Sequence, residues 1–329
     1  MRRGRVLPLL VASSWVLVFL ARVFDASLHS LCINKEYAIA QVRSYRSGRA
    51  DSCPTRANEE EGGHRTAYLG RGRSHGPTRY QMGASLAYAT KQVNIFSQLL
   101  GSALFLLLPI PVSYTLHPRY GSATTTDVIV FSTFFFGVAI CFALSATFHV
   151  FNNHSESVHI FGNQLDYLGI VILMWDSTIP CVYYGFYCDP SLPKTYYTLV
   201  SVLAAGCVYA TLHPAFRRPK YRPYRAAMYS GLGLSFIVPI VHGISKFGWE
   251  TQMWRMTLDW MALMATFNLV GGALYGLRIP EKCYTYKFDV WGSSNQIMHC
   301  LVICAGIAHL FGLLRSFDHV HGQGNICAR

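Results

Sequence analysis

The sequence predicts an all-α membrane protein: a bundle of seven transmembrane helices with a cytosolic N-terminus and an extracellular or lumenal C-terminus. Of its 329 residues, 52% are hydrophobic and only 13% are charged, whereas soluble domains carry about 25% charged residues. Seven apolar segments approach the length of about 20 residues that crosses a bilayer core. Lys and Arg residues concentrate on one side of these segments, which sets the orientation.

The seven segments are separated by polar loops, and Tyr and Trp residues crowd their ends, as expected where helices meet the membrane interface. They cover residues 94–115, 126–149, 164–186, 195–212, 225–245, 256–277 and 293–314. They define a membrane domain at 92–315, which a short C-terminal tail at 316–329 follows. The protein is therefore expected to be multi-pass, in the plasma membrane or an endomembrane.

The N-terminal region, residues 1–91, is strongly basic. It holds fourteen Lys or Arg against six Asp or Glu, and the whole chain has a formal charge of +12. Basic segments beside membrane spans stay in the cytosol, so this region favours an inside N-terminus. An apolar stretch at 6–21 follows basic residues and is interpreted as an interfacial or anchoring segment. Residues 30–91 lack a hydrophobic period and are expected to be mostly disordered.

Composition also disfavours several classes of function. Nucleic-acid binding is disfavoured because basic and aromatic residues do not alternate on a foldable element. The ten cysteines include no CxxC pair, which argues against a zinc finger or a disulfide framework. Cys188 and Cys327 both fall on the predicted outer side, where they can pair.

Polar residues inside membrane spans are costly and therefore mark candidate sites. Ser145 and His149 lie four residues apart at the inner end of the second span, and Asn295 and His299 have the same spacing in the seventh. Residues four apart share one helix face. Asp166 lies near the start of the third span, and helix direction places all three groups at one membrane depth.

The chemistry available to these groups is metal chemistry. The imidazoles of His149 and His299 with the amide oxygen of Asn295 can hold Zn²⁺ and leave one position open, as in catalytic zinc sites. Asp166 can then orient a water or carry its proton, and Ser145 can hydrogen bond to it. A polar cluster that satisfies itself across the helices, without metal, is an equal alternative on the residues alone.

Five motifs then carry a family resemblance. SATFH, QLDYLGI, GLGLSFIVPIVHG, LYGLRIPEKCYTYKFDVWG and NQIMH follow one another within residues 92–315. Their order and spacing resemble the adiponectin-receptor and haemolysin III family, also called progestin and adipoQ receptors. The resemblance implies seven helices with a cytosolic N-terminus and a zinc ion near the cytosolic face. It also implies three His ligands, an Asp and a Ser beside a zinc-bound water, and a ceramidase-like activity.

Carried onto this sequence, the resemblance makes His149 and His299 two of the ligands, Asp166 the water-binding acid and Ser145 its companion. Asn295 stands where the family has the third His. An amide is a poorer zinc ligand than imidazole, so weaker binding or a rearranged shell is expected. Entry of Asp166 into the metal shell is the preferred compensation, and His154 or His159 is a less favoured one.

Other polar residues receive simpler interpretations. Asp176 lies in the middle of the third span, where the family generally has a small residue, and is expected to be protonated or paired across the bundle. It lies about 15 Å along the helix from Asp166, too far to share a metal, and His309 is as far from His299. His242 is interpreted as packing, and His321 as a tail residue.

The sequence therefore predicts a receptor-like membrane protein with a role in lipid and zinc homeostasis signalling. The alternative is a zinc-dependent intramembrane lipid amidohydrolase that uses a zinc-bound water. The expected partners are a membrane lipid or ceramide-like substrate, or an extracellular or lipid ligand. Receptors coupled to G proteins fit poorly because the predicted orientation is reversed, and transport fits poorly because no continuous line of ionisable residues crosses the membrane.

Overall fold

The described residues form helices, and seven spans among them are long and apolar enough to cross a membrane. The computed structural model describes residues 79–116, 123–217, 221–284, 288, 292–322 and 327, with most side chains from residue 92 onward. The predicted apolar segment at 6–21 lies outside these residues. Residues 79–91, expected to lack regular structure, have a helical backbone.

The helices follow one another in a simple order. They are α1 (Arg79–Leu107), α2 (Pro109–Leu116), α3 (Thr125–Phe151), α4 (Glu156–Gly185), α5 (Ser191–Leu212), α6 (Arg222–Leu234), α7 (Ile237–Phe247), α8 (Trp249–Arg255), α9 (Leu258–Leu277) and α10 (Ser294–Gly322). A 3-10 turn covers Pro214–Arg217. The first span joins α1 to α2 and the fifth joins α6 to α7, while α8 is a short connecting helix.

Prolines explain the two broken spans, since proline has no backbone N–H to donate to the carbonyl four residues earlier. Pro109 begins α2 directly after the break at Leu108. In the fifth span, Pro239 leaves the carbonyl of Ser235 without its helical donor, and the chain turns between α6 and α7 at this point.

Two helices are longer than predicted. α4 begins at Glu156 rather than 164, because the Ser155 side chain caps it by accepting from the backbone N–H of Val158 (3.3 Å). α10 continues to Gly322 rather than ending at 314. Phe317 in this extension is 2% exposed. Apolar packing therefore stabilises the helix through a segment that had been predicted to be a tail.

The core of the bundle lies around α3 and α10. In the most apolar 18-residue stretch of each of these spans, 56% of the residues are buried. The corresponding share in α9 is 11%, so the apolar face of α9 is left for lipid. α3 packs along α4, and α9 packs along α10. Edge-to-face contacts join Phe105 of α1 to Phe134 and Phe142 of α3, with ring centroids 5.9 and 6.0 Å apart.

The bundle has two polar ends. We call the end that carries His149 and His299 the inner end, and the end that carries Asp127 and His321 the outer end. α3 runs toward the inner end, while α4 and α10 run away from it. Beyond the outer end of α4, Cys188 forms a disulfide with Cys327, the pairing that the sequence had allowed.

Candidate metal centre

The last two turns of α3 bring Ser145 and His149 to the inner end. α3 begins with a capping box in which Asp127 accepts from the backbone N–H of Thr124 (2.8 Å). The helix then runs without proline through a strongly apolar stretch, so that residues four apart stay on one face. Ser145 and His149 are 6% and 8% exposed, so that face points into the bundle.

His299 enters the same region from α10, whose first turn is held from outside the helix. Glu281, in the preceding loop, accepts from both the backbone N–H and the hydroxyl of Ser294 through Oε1, each at 2.8 Å. These bonds satisfy a donor that a helix N-terminus leaves open. Asn295 follows Ser294 and is half-buried, and His299, one turn further, is 4% exposed.

The two imidazoles face each other. The ring centroids of His149 and His299 are 5.1 Å apart and the planes meet at 64°. Two imidazoles bound to one tetrahedral zinc through nitrogens at 2.0–2.1 Å place their ring centroids roughly 5 Å apart. The separation in this protein therefore matches that of two imidazoles that share a metal ion.

An unused donor atom supports the same interpretation. Nδ1 of His299 is buried and has no hydrogen-bonding partner among the described residues. Buried polar atoms are nearly always paired, so an unpaired ring nitrogen is a donor atom that a ligand could use. The residues therefore fit a metal held by two imidazoles.

The described residues do not supply a third strong ligand for a metal beside His149 and His299. No group of three His, Cys, Asp or Glu in the described part of the chain is arranged to hold a metal. Asp166, the preferred compensation for the missing imidazole, thus does not join His149 and His299 in such a group. Asn295, which occupies the family's third ligand position, remains the predicted amide ligand.

The two histidines that follow α3, His154 in the connecting loop and His159 in the first turn of α4, lie at the surface. His154 and His159 are both exposed. Nδ1 of His159 lies 3.1 Å from the carbonyl oxygen of Asn152, and its ring packs on Phe148 at a centroid distance of 5.6 Å. His159 is therefore tied to the outside of α3, away from the imidazole pair.

Asp166 reaches the inner end from α4, where its carboxylate lies close to the Ser145 hydroxyl. A close approach of the two helices makes this possible. A Cβ at Gly169 would lie 3.1 Å from the backbone of Cys141, tighter than side chains normally pack. Gln164 holds α4 to α5 by donating to the carbonyl of Thr211 (3.0 Å). The site thus combines two imidazoles with an oriented carboxylate that can accept a proton.

Three other predicted residues lie elsewhere. His309 is deep in the bundle, where Nε2 donates to the carbonyl oxygen of Ser177 (3.1 Å), consistent with its exclusion from the metal. Nδ1 of His242 forms a hydrogen bond with the Tyr196 hydroxyl (2.6 Å), which joins α7 to α5. This contact agrees with the packing role expected for His242. The interpretation of His321 as a tail residue was wrong, because it is buried against Asp127 at the outer end.

Sequence reasoning missed Glu281. Its Oε2 is buried and has no hydrogen-bonding partner in the part of the chain that the structure describes. Its position in RIPEK, shortly before the helix that carries His299, was the available signal. The carboxylate fixes the first turn of α10 and adds negative charge near the inner end.

The fold and the site together define a multi-pass membrane protein with seven spans among the described residues and a pair of buried imidazoles at one end. Residues 86–310 match the family model described as Haemolysin-III related. The chain belongs to this family, as its motifs predicted.

Three relatives support the assignment. An adiponectin receptor protein of Drosophila melanogaster is 37% identical over 224 residues, which cover 68% of this chain and 50% of the relative. An ADIPOR-like receptor of Saccharomyces cerevisiae is 35% identical over 231 residues, 70% of this chain and 73% of the relative. A progestin and adipoQ receptor-like protein of Caenorhabditis elegans is 35% identical over 224 residues, 68% and 51%. The chain thus spans about half the length of the fly and nematode relatives.

Proposed function

We propose that this protein is a receptor-like membrane protein that binds zinc at its inner end and acts in lipid and zinc homeostasis signalling. The observation that carries the proposal is the pair of facing imidazoles, His149 and His299, at the separation that a shared zinc requires. Relatives named as receptors support the receptor-like role. The ligand is a membrane lipid or an extracellular molecule.

In this proposal, His149 and His299 are the strong ligands and Asn295 contributes its amide oxygen. Because imidazole binds zinc better than an amide does, we expect an affinity below that of a three-imidazole shell. Glu281 acts indirectly by holding the turn that carries Asn295.

The first experiment measures the metal content of the purified protein in detergent, for wild type, Asn295→His and His299→Ala. The proposal expects about one zinc per chain in wild type, tighter binding in Asn295→His and loss in His299→Ala. Zinc found in Asn295→His alone would show that the site in this chain no longer holds metal. The receptor-like role would then have to operate without it.

A second candidate function, a zinc-dependent lipid amidohydrolase acting on a ceramide-like substrate, rests on the carboxylate of Asp166, which lies beside Ser145 at the inner end. A bound zinc ion would supply Lewis acidity and lower the pKa of a water ligand toward about 7. Asp166 would act as a general base toward the attacking water and then as a general acid that returns the proton to the leaving amine. Ser145 would hold the carboxylate in position.

Ceramide turnover by the purified protein tests this second function. Activity should disappear in His149→Ala, which loses a ligand, and in Asp166→Ala, which keeps both imidazoles but loses the acid. Asp259→Asn, far away on the outer side of α9, serves as the control and should turn over at the wild-type rate. Equal turnover in all four proteins would exclude the hydrolase and leave the receptor-like role standing.

We also propose that the inner end faces the cytosol, with a cytosolic N-terminus and an outside C-terminus, in the plasma membrane or an endomembrane. The basic N-terminal region supports this orientation. So does the disulfide between Cys188 and Cys327 beyond the outer end, since disulfides persist on the oxidising side of a membrane.

Thiol labelling in sealed cells tests the orientation through Cys283, an exposed free cysteine in the loop before α10. A membrane-impermeant maleimide should label this thiol only after permeabilisation. The comparison with Cys283→Ser isolates its signal from that of the other cysteines. Labelling of Cys283 in intact cells would reverse the proposed orientation.

A further inference from the structure

Asp176 lies deep in the bundle and outside the proposed metal site. It sits on α4, ten residues beyond Asp166, which corresponds to about 15 Å along the helix. The residue is 1% exposed. A carboxyl group at this depth is costly unless something neutralises it, so its surroundings decide what it binds.

The carboxyl group has few partners. Oδ1 accepts from the hydroxyl of Ser177 at 3.2 Å. Oδ2 is buried and has no hydrogen-bonding partner among the described residues. Within that part of the chain, no Lys, Arg or His forms an ion pair with Asp176. One carboxyl oxygen is therefore enclosed without a compensating group.

The facing helix is shaped around this carboxyl group. Gly137 of α3 lies directly against it, and a Cβ added to Gly137 would overlap Oδ2 of Asp176. The glycine therefore makes room for the acid while the α3 backbone closes over it.

The titratable groups around this turn come from three helices. α3 contributes the thiol of Cys141, which lies between the levels of Asp166 and Asp176. α4 contributes Cys181, and α10 contributes His309, whose Nε2 lies 3.8 Å from the Cys181 sulfur. Because Nε2 of His309 donates to the carbonyl of Ser177, this nitrogen carries a hydrogen in either protonation state. On the α5 side, Trp175 donates to Ser201 and adds no charge.

We propose that Asp176 is a proton-binding site in the middle of the bundle, which holds one resident proton on the carboxyl group enclosed by Gly137 and Ser177. The proton neutralises a charge that the bundle interior otherwise leaves unpaired. His309, on the adjoining helix, donates from Nε2 to the carbonyl of Ser177 next to this site. The site is separate from the imidazole pair, and it stands whether or not zinc binds there.

A proton suits this site better than a metal cation. Hard cations take about six oxygen ligands. Among the described residues, Ser177 is the hydrogen-bonding partner of the carboxyl group, and the Gly137 backbone leaves no space beside Oδ2. A proton needs neither space nor further ligands.

Infrared spectroscopy of the detergent-purified protein at neutral pH tests the proposal, using a detergent without ester groups. Carboxylic acids that carry a proton show a C=O stretching band that carboxylates lack. Wild type should show such a band, and it should shift when the aspartates are labelled with ¹³C. The band should disappear in Asp176→Asn and remain in Asp166→Asn, the matched control on the same helix. Absence of the band from wild type, or its survival in Asp176→Asn, would overturn the proposal.

Thermal unfolding provides an independent measurement. Asn reproduces the shape of a neutral acid, so Asp176→Asn should melt within about 2 °C of wild type, a change of under about 1 kcal/mol. Sodium chloride and choline chloride at equal ionic strength should give the same melting temperature in wild type. A specific rise in sodium that Asp176→Asn abolishes would identify a sodium site and overturn the proton assignment.

Discussion

The buried polar groups that define the two ends of the bundle differ in their hydrogen bonding. At the outer end, Asp127 accepts four hydrogen bonds: from the backbone N–H of Thr124 (2.8 Å), the Thr124 hydroxyl (2.7 Å), the Tyr184 hydroxyl (2.9 Å) and Nε2 of His321 (3.2 Å). At the inner end, Nδ1 of His299 has no hydrogen-bonding partner among the described residues. The carboxylate of Asp127 is thus hydrogen-bonded within the bundle, whereas a buried ring nitrogen at the inner end is not.

This difference separates structure from function in the same three helices. Asp127 on α3, Tyr184 on α4 and His321 on α10 tie together the outer ends of the helices that carry the inner site. A buried polar network stabilises a fold when every member is paired, and an unpaired buried group costs free energy. The outer end can therefore offset the cost of the open inner end.

The largest effect is expected when the hydrogen-bonded network of Asp127, Tyr184 and His321 at the outer end, here called the outer network, is broken. Asp127→Asn removes the charge that His321 and Tyr184 face and should destabilise the protein by about 3–5 kcal/mol, the cost of breaking a buried pair. Denaturant unfolding in detergent, followed by tryptophan fluorescence, measures the change.

A matched control for this variant is Asp259→Asn, which breaks the ion pair with Arg315 at the membrane surface. Exposed pairs contribute about 0–1 kcal/mol, so this control should stay close to wild type. Similar losses in both variants would show that the outer network is no more important than a surface ion pair.

The sequence predicted the inner end better than the outer end, for a physical reason. Ser145 and His149, like Asn295 and His299, are ligand-type residues at helical spacing, so their shared face could be inferred within each helix. The pairing of Asp127 with His321 joins residues almost 200 positions apart, and no local pattern indicates it. The spacing of Phe317 and His321, four residues apart, was the available signal that α10 continues past 314.

Contacts between helices also explain what stayed unpredicted about Asp176 and Glu281. The sequence places Asp176 in the middle of a span but cannot show that Gly137 faces it. In the same way, the capping of Ser294 by Glu281 depends on how the loop before α10 folds back. Helix periodicity predicts which residues share a face, whereas the partner of that face is set by packing.

The second prediction concerns the disulfide beyond the outer end. Replacing both Cys188 and Cys327 by Ser opens a loop with a sequence separation of 139 residues. Because the cross-link restricts the unfolded chain, its loss should cost about 2–4 kcal/mol. The double variant and the reduced wild type should unfold at the same denaturant concentration; a more stable double variant would contradict a stabilising disulfide.

The third prediction concerns zinc binding at the inner end, where Nδ1 of His299 has no hydrogen-bonding partner among the described residues. Zinc at a hundredfold excess over its dissociation constant should stabilise the wild type by about 2.7 kcal/mol. Calorimetry in detergent should show that zinc raises the melting temperature. Mg²⁺ should leave the melting temperature unchanged, because it prefers oxygen ligands. His299→Ala should lose the zinc response. The same zinc shift in that variant would place the metal away from the imidazole pair.

The smallest expected effect lies at the outer surface, where Lys246 Nζ donates to Asp189 at 2.5 Å. The hydrogen bond from Lys246, followed by one from Ser191, lowers the pKa of Asp189 to about 2. A lowered pKa means that the ionised form is favoured by folding, so the stabilisation is complete above the ordinary pKa of about 4 and disappears as the pH falls toward 2.

Asp189→Asn should therefore melt slightly below wild type between pH 4 and pH 6, with the two curves converging by pH 2. High salt should reduce the difference at every pH, because exposed charges are screened. His299→Ala, which leaves Lys246 and Asp189 in place, should retain this acid dependence. A difference between wild type and Asp189→Asn that persists at pH 2 would show that the carboxyl group acts through its shape rather than its charge. The outer end would then depend on packing as much as on paired charges.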